Sequence, residues 1–423
     1  MNLLSEKVEK LTGKVRIPAS KSHTIRALII SSLAEGKSVL LNPLVSGDTV
    51  SCLEACRAFG AEISEEENKW IVNGKGVASP PDDIINVGNS GTSLYLLLSA
   101  AALISGTTVF TGDYQIRRRS AQSLINSLND LGANCFSTRG NGCAPLVVQG
   151  KMAGGKTSIE CPTSQYLSSL LISCPLAEND TEISVPLLNE KPYVEMTMDW
   201  LKCQNIIFEN SDYKIFKIKG GQKYKPFEKE IPADFSSATF FLVAAAITNS
   251  NVTLNGLDMN DTQGDKAVVD MLKKMGTEIE TGENFVRVNG GQLVGTELDL
   301  NATPDALPAM AIAGCFAKGE TRLVNVPQAR EKETDRIAVM AAELKKLGAD
   351  IEELPDGLII RESVLKGGAA RGYDDHRVVM SLAVAGLRAE RAIEVDTAES
   401  AAITFPNFSE LMNSIGAKMS ERN

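Results

Sequence analysis

Six times along the chain a hydrophobic segment runs into a helix-terminating residue and then a short strand: AFGAEI at Gly60, DLGANC at Gly132, CQNIIF at Asn205, KMGTEI at Gly276, KLGADI at Gly348 and SIGAKM at Gly416. Successive copies lie 68 to 73 residues apart. Glycine, or asparagine in its place, is what a left-handed helix C-cap requires. A fixed period of this kind restricts the chain to a repeat architecture. Upstream of each cap stands a second helical segment, apolar nearly all round: IRALIISSLA, SLYLLLSAAAL, YLSSLLISCPLA, TFFLVAAAI, PAMAIAGCFA and RVVMSLAVAGL. Such segments predict helices buried on every side, whereas AVVDMLKKM and its equivalents are amphipathic. A β-rich hairpin follows each buried helix, as in KGETRLVNV. The chain therefore reads as an α/β protein of six βαβαββ-type repeats, three around each of two buried helix clusters.

A length of 423 residues is enough for two or three domains. The net charge of −10, from 43 basic and 53 acidic residues, disfavours non-specific nucleic-acid binding. No apolar run reaches the ~18–20 residues of a membrane span. The start, MNLLSEKVEK, has no signal-peptide core, so a cytoplasmic location is expected. Eight cysteines form no CxxC pair and are expected to be buried small hydrophobes. Two histidines, His23 and His376, are too few for a histidine-rich zinc site.

Each buried helix opens on a polar cluster. In order these are Ser20-Lys21-Ser22, Gly88 to Thr92, Thr163-Ser164-Gln165, Asp234 to Ser237, Pro304-Asp305-Ala306 and Asp374 to Arg377. Helix starts present unpaired N–H groups and a positive dipole end, which suit anions. Capping accounts for the Ser and Asp residues. It does not account for Lys21, Arg26, Lys332, Glu333, Arg336, His376 and Arg377 at equivalent ends of different repeats. Paired arginines suit a carboxylate, and a neighbouring acid such as Glu333 or Asp305 can move protons. The stretch Gly150 to Thr157 matches the phosphate-loop pattern GxxxxGK[ST]. It leads into SIECPTSQ, which reads as a strand rather than the required helix, so the match is set aside.

ASKSHTIRAL, GNSGTS, SQYLSSLL, KPYVEMT, PDALPAMA, REKETDR, DDHRVVM and ITFP resemble, in order, the landmarks of the 5-enolpyruvylshikimate-3-phosphate (EPSP) synthase family, the 3-phosphoshikimate 1-carboxyvinyltransferases. The resemblance implies a two-domain inside-out α/β barrel, with ligands in the cleft. The implied domains are 20–232, carrying mainly the shikimate-type ligand site, and 1–19 plus 233–423, carrying Glu333, Arg336, His376 and Arg377. It implies transfer of a carboxyvinyl group from phosphoenolpyruvate (PEP) to a hydroxyl of shikimate 3-phosphate or a related cyclic acid. Lys21, Asp305, Glu333 and His376 match the reaction centre. Asp305 matches the base for the attacking hydroxyl, and Glu333 the acid at the enol methylene. Ser22, Arg26, Gln165 and Tyr193 match contacts to the ring acid. Asn89, Gly91, Thr92, Thr163, Ser164 and Lys332 match further substrate contacts, and Arg336 and Arg377 the grip on the PEP carboxylate. No metal or organic cofactor is implied. The expected partner is a small anionic cyclic substrate, with no nucleic acid, no membrane and a monomeric chain.

The departures are specific. Tyr95 and Gln115 stand where the family places arginines, and Ile403 where it commonly has lysine. Glu190 replaces a serine that touches the acceptor phosphate. Three positive charges are missing and one negative charge is gained, mostly around the two phosphates. Arg117 and Arg118 are candidates to compensate. The alternative is therefore a repurposed member that acts without PEP on an unphosphorylated shikimate-like acid or cyclitol, for example by eliminating water. A sister enzyme acting on UDP-N-acetylglucosamine would need a loop cysteine absent from 113–120. An inactive binding protein would have lost Lys21, Asp305 or Glu333.

Overall fold

The computed structural model describes residues 1–76 and 78–422. Twelve α-helices occur among them: α1 (Lys21–Ser32), α2 (Gly47–Ala58), α3 (Gly91–Ala101), α4 (Gln122–Asp130), α5 (Ser164–Ser173), α6 (Lys191–Cys203), α7 (Phe235–Ile247), α8 (Ala267–Lys274), α9 (Leu307–Cys315), α10 (Arg336–Lys346), α11 (His376–Gly386) and α12 (Phe408–Ser414). The odd-numbered helices are the apolar segments of the sequence, and every residue of α3, α7, α9 and α11 is buried. Five of them begin on a side-chain cap: Ser20, Ser90, Thr163, Asp234 and Asp375. Each cap oxygen takes up one of the N–H groups that the first turn leaves unpaired. The six even-numbered helices end at the repeat caps. Asn205 has φ 57° and the five glycines have φ between 97° and 104°, the left-handed conformation the sequence demanded.

Six four-stranded sheets share one plan. In the second, Ile85–Asn86 leads into α3 and pairs in parallel with Thr107–Thr111, which follows that helix. Two antiparallel pairings then add Leu146–Gln149 and Asn134–Ser137. Two sheets exchange their lead strands. Thr12–Arg16 precedes α1 but pairs with Asn251–Asn255, and Glu228–Glu230 precedes α7 but pairs with Glu35–Leu41. The N-terminal strand Asn2–Glu6 fills the last sheet, between Ile393–Val395 and Lys418–Arg422. These exchanges divide the chain into two compact units, Ala19–Ile231 and Met1–Pro18 with Pro232–Asn423.

Each unit has its own core of buried side chains centred on its three buried helices. The strands alternate exposed and buried residues, as in Lys69–Lys75, so they face the helices on one side and water on the other. Helices inside and sheets outside make each unit an inside-out barrel. Phe241 is fully buried and meets the rings of Phe405 and Phe408 at 5.8 and 6.3 Å. Truncating such a side chain to alanine costs ~3–5 kcal/mol.

The packing corrects the sequence reading at one cysteine: Cys203, the last residue of α6, is exposed, whereas the other seven are buried thiols. Residues Gly155–Cys161 form the strand expected there, where a phosphate loop would have required a helix.

Candidate functional site

In the unit Ala19–Ile231, Lys21 and Ser22 occupy the first turn of α1. The Lys21 ammonium lies 3.0 Å from Asp48 at the start of α2. Arg26, one turn on, is 1% exposed. Its Nε donates to Thr197 Oγ1 at 2.9 Å, Nη1 to the Ser22 carbonyl, and Nη2 to Ser168 Oγ and the Tyr193 carbonyl. All four acceptors are neutral. Burial without a carboxylate lowers the Arg26 pKa to about 10. A desolvated guanidinium satisfied only by neutral groups gains most from an incoming anion. His23 is occupied structurally, because its Nδ1 accepts from Trp200 Nε1 at 3.0 Å.

The starts of α3 and α5 lie in the same unit. Gly91 and Thr92 open α3, and Asn89 precedes its cap. Asn89 Nδ2 donates to Asp113 at 2.6 Å and to Gln115 Oε1 at 2.5 Å. Gln115 is buried and neutral. Tyr95 is also buried; it donates to the Ser120 carbonyl and stacks edge-on against Tyr166 at 5.0 Å. Neither departure supplies charge. Arg117 Nη1 donates to the Gly112 carbonyl, and exposed Arg118 lies over the Tyr114 ring. Arg119 reaches the α3 start. Its Nη1 lies 2.5 Å from where a Cβ on Gly91 would stand. Sequence reasoning missed Arg119; the signal was Gly91 itself, whose hydrogen leaves room for a guanidinium.

Glu190 is 2% exposed and left-handed, with φ 58° and ψ 41°. It precedes α6 without capping it and instead reaches α5. There Oε2 accepts from Ser164 N at 3.1 Å, Ser164 Oγ at 2.9 Å and Thr163 Oγ1 at 3.1 Å. Gln165 follows in that first turn, half-buried, and Tyr193 sits half-buried in the first turn of α6.

In the unit Met1–Pro18 with Pro232–Asn423, Arg336 opens α10 and is 1% exposed. It meets Asp305 at 2.8 Å, Glu333 at 2.5 Å and Asp375 at 2.9 Å. Asp305 also takes Arg377 at 2.9 Å. Burial opposes the charge on Arg336, but Asp375, Glu333 and Asp305 outweigh it and raise its pKa. Burial would likewise raise Asp375, yet Arg336 holds that carboxyl below its ordinary value. His376 and Arg377 form the first turn of α11, both buried behind the Asp375 cap. Lys332 is half-buried beside Glu333. Ile403 ends the turn Ala398–Ile403, half-buried, and adds no charge. No group of three or more His, Cys, Asp or Glu side chains among the described residues is placed to hold a metal ion. No helix among the described residues is long and apolar enough to cross a membrane.

This fold is the one adopted by enolpyruvyl transferases. The enolpyruvyl transferase NikO from Streptomyces tendae superposes with a TM-score of 0.79 over 99% of this chain and 98% of its own, at 16% identity. EPSP synthase from Acinetobacter baumannii superposes with a TM-score of 0.84 over 99% of this chain and all of its own, at 28% identity. The family model for EPSP synthase (3-phosphoshikimate 1-carboxyvinyltransferase) matches residues 5–412. The chain is 57% identical to the 3-phosphoshikimate 1-carboxyvinyltransferase of Acetivibrio thermocellus over 420 residues, 99% of each chain. It is 55% identical to that of Ruminiclostridium cellulolyticum, over 98% of this chain and 99% of that one. The chain belongs to the EPSP synthase family and is a carboxyvinyltransferase of that family.

Proposed function

We propose that the chain transfers the carboxyvinyl group of PEP to a hydroxyl of shikimate 3-phosphate or a related cyclic hydroxy acid. The observation that carries this reading is the cluster around Arg336. It unites a permanently charged guanidinium, a second arginine and two partly accessible carboxylates, Asp305 and Glu333. Arg336 and Arg377 bind the PEP carboxylate in place of their present partners. Asp305 takes the proton of the attacking hydroxyl as its oxygen bonds to C2 of PEP. Glu333 delivers a proton to C3, giving a tetrahedral adduct. Loss of one proton from the resulting C3 methyl group then re-forms the double bond as the C2–O bond to phosphate breaks. Each proton transfer is an ordinary general acid–base step. Lys21 and His376 stabilise the charge that develops on the phosphate and the adduct. Arg26 binds the ring carboxylate, with Ser22, Gln165 and Tyr193 around the ring. Asn89, Gly91 and Thr92, with Arg119, face the PEP phosphate. The names of the 57% and 55% identical relatives support the same chemistry.

The neutral side chains of Tyr95, Gln115 and Ile403 favour a second reading, in which a ring acid loses water without PEP. Incubating the protein with shikimate, shikimate 3-phosphate and PEP in every combination separates the two. Transfer yields a carboxyvinyl ether and an equal amount of phosphate, and only when PEP is present. A dehydrated ring acid formed without PEP would overturn it.

A further inference from the structure

Tyr95, which stands where the family places arginine, brings a phenol and not a charge. Its ring, on α3, meets that of Tyr166, on α5, edge-on at 5.0 Å, and each tyrosine is 5% exposed. Both hydroxyls donate to one acceptor, the Ser120 carbonyl, at 3.1 and 2.5 Å. Two buried phenols on one backbone oxygen fix the chain at that point, and the oxygen belongs to the residue after Arg119.

The rest of the segment is held in the same manner. The Arg117 carbonyl accepts from Arg139 Nη2 at 2.5 Å, and the Arg118 carbonyl from Cys143 Sγ at 3.5 Å. The Ala121 N–H donates to the Gly142 carbonyl at 2.7 Å. Arg119 is extended, with φ −82° and ψ 126°, and its N–H donates to the Ile116 carbonyl. Its side chain thus leaves a backbone fixed on both sides, which reduces the entropy lost in ordering the guanidinium. The guanidinium stands against Gly91, with Nη1 2.5 Å from the place of a Cβ there. Tyr95 lies one helical turn on, on the same face of α3, and its Cε2 is 3.7 Å from that same place. The glycine is therefore flanked by the phenol ring and by the cation.

We propose that Tyr95, with Tyr166, is the positioning residue for Arg119: the two phenols hold the Ser120 carbonyl so that a guanidinium carried by the loop stands at the α3 start, in place of one carried by α3 itself. This rests on the transfer reading, which puts the PEP phosphate at the α3 start. The charge has changed its place in the chain and not its place in the site. A guanidinium already in position gives a charge-assisted contact to an incoming anion with little further ordering. The reaction centre assigned above draws on Lys21, Asp305, Glu333 and His376, none of them on this loop. Loosening the loop therefore weakens the hold on PEP and leaves the chemical step.

The test is steady-state transfer from PEP by the full-length protein, with released phosphate as the readout. The chains compared are wild type, Tyr95→Phe/Tyr166→Phe, Arg119→Met, and all three substitutions together. The paired phenylalanines keep both rings and remove only the donors. They should raise KM for PEP about fivefold, the scale of a lost neutral hydrogen bond, and leave kcat within about twofold. In the Arg119→Met background the same pair should leave KM unchanged, because the residue it positions is gone. A purely structural pair would raise KM equally in both backgrounds. Tyr95→Arg added to Arg119→Met returns the cation to α3 and should bring KM back to within about threefold of wild type. That variant keeps the proposal testable if the phenylalanine pair does not fold. An unchanged KM in the phenylalanine pair, an equal rise in both backgrounds, a fall in kcat alone, or no recovery with Tyr95→Arg would overturn the proposal while transfer itself stands. A wild type that releases no phosphate from PEP with either shikimate 3-phosphate or shikimate would overturn the transfer reading, and the proposal with it.

Discussion

Replacing Asp375 by asparagine tests whether Arg336 is held in place by charge. Asp375 is fully buried and accepts four hydrogen bonds: from Arg336 Nε at 2.9 Å and Nη2 at 3.2 Å, from Thr334 Oγ1 at 3.0 Å and from Arg377 N at 2.9 Å. The asparagine amide would turn an NH2 toward groups that all donate. Removing one partner of a buried ion pair costs ~3–5 kcal/mol. Arg336 keeps Asp305 and Glu333, so the low end applies, ~3 kcal/mol. For a unit of ~200 residues that lowers Tm by roughly 6–12 °C. The pH dependence has a definite sign. The Asp375 carboxyl titrates below its ordinary value of 3.8 in the folded protein. Its stabilisation is therefore fully present above 3.8 and is lost as pH falls through the lowered folded value. Thermal unfolding of wild type and Asp375→Asn should show a constant gap from pH 7 to about 5 that closes on further acidification. A variant that melts within a degree of wild type at pH 7, or a gap that widens in acid, would refute this reasoning.

Asp305→Asn and Glu333→Gln should each lower kcat by ~100-fold or more. Their ion pairs with Arg336 add a stability cost of ~1.5 kcal/mol or more that a purely catalytic role would not carry, measurable by urea unfolding. In D2O, turnover by the wild type should place deuterium at C3 of the vinyl product, and Glu333→Gln should abolish that label; retention would remove Glu333 from the C3 proton transfer. Gly91→Ala should fold normally, because the clash falls on the end of the Arg119 side chain, and should raise KM for PEP about tenfold, the scale of one weakened charged contact. Arg119→Met should raise it equally. An unchanged KM in both would show that Arg119 does not face PEP.

The repeats were legible because a buried helix and a left-handed cap are local signals. Each copy of the cap carries glycine or asparagine, and each buried helix is apolar on all faces over about three turns. The exchange of lead strands between sheets was not legible from the residues alone, since Thr12–Arg16 and Asn251–Asn255 are separated by more than half the chain. The candidate residues were found by type and position at helix starts, but their partners were not. That Arg336 meets three carboxylates depends on α10, α11 and the turn before α9 converging. The loss of charge at Tyr95 and Gln115 was visible in the sequence, and the neighbours Arg117 and Arg118 were the natural substitutes. A single 3₁₀ turn at Ile116–Arg118 sends those two outward and brings Arg119 to Gly91. The sign of the Glu190 change was readable, and its seat on Ser164 was not, because that needs α5 and α6 side by side.

The measurement closest to the central claim follows the oxygen that bridges C2 and phosphorus in PEP. With that atom enriched in oxygen-18, the protein is given PEP and a cyclic acid acceptor, and both products are weighed by mass spectrometry. Attack of the ring hydroxyl at C2, with Asp305 and Glu333 moving the protons, breaks the C2–O bond, so the label must leave in the phosphate. Label retained in pyruvate would mean cleavage at phosphorus, and labelled PEP recovered intact beside a changed ring acid would mean that no carboxyvinyl group moves; either result would contradict the account.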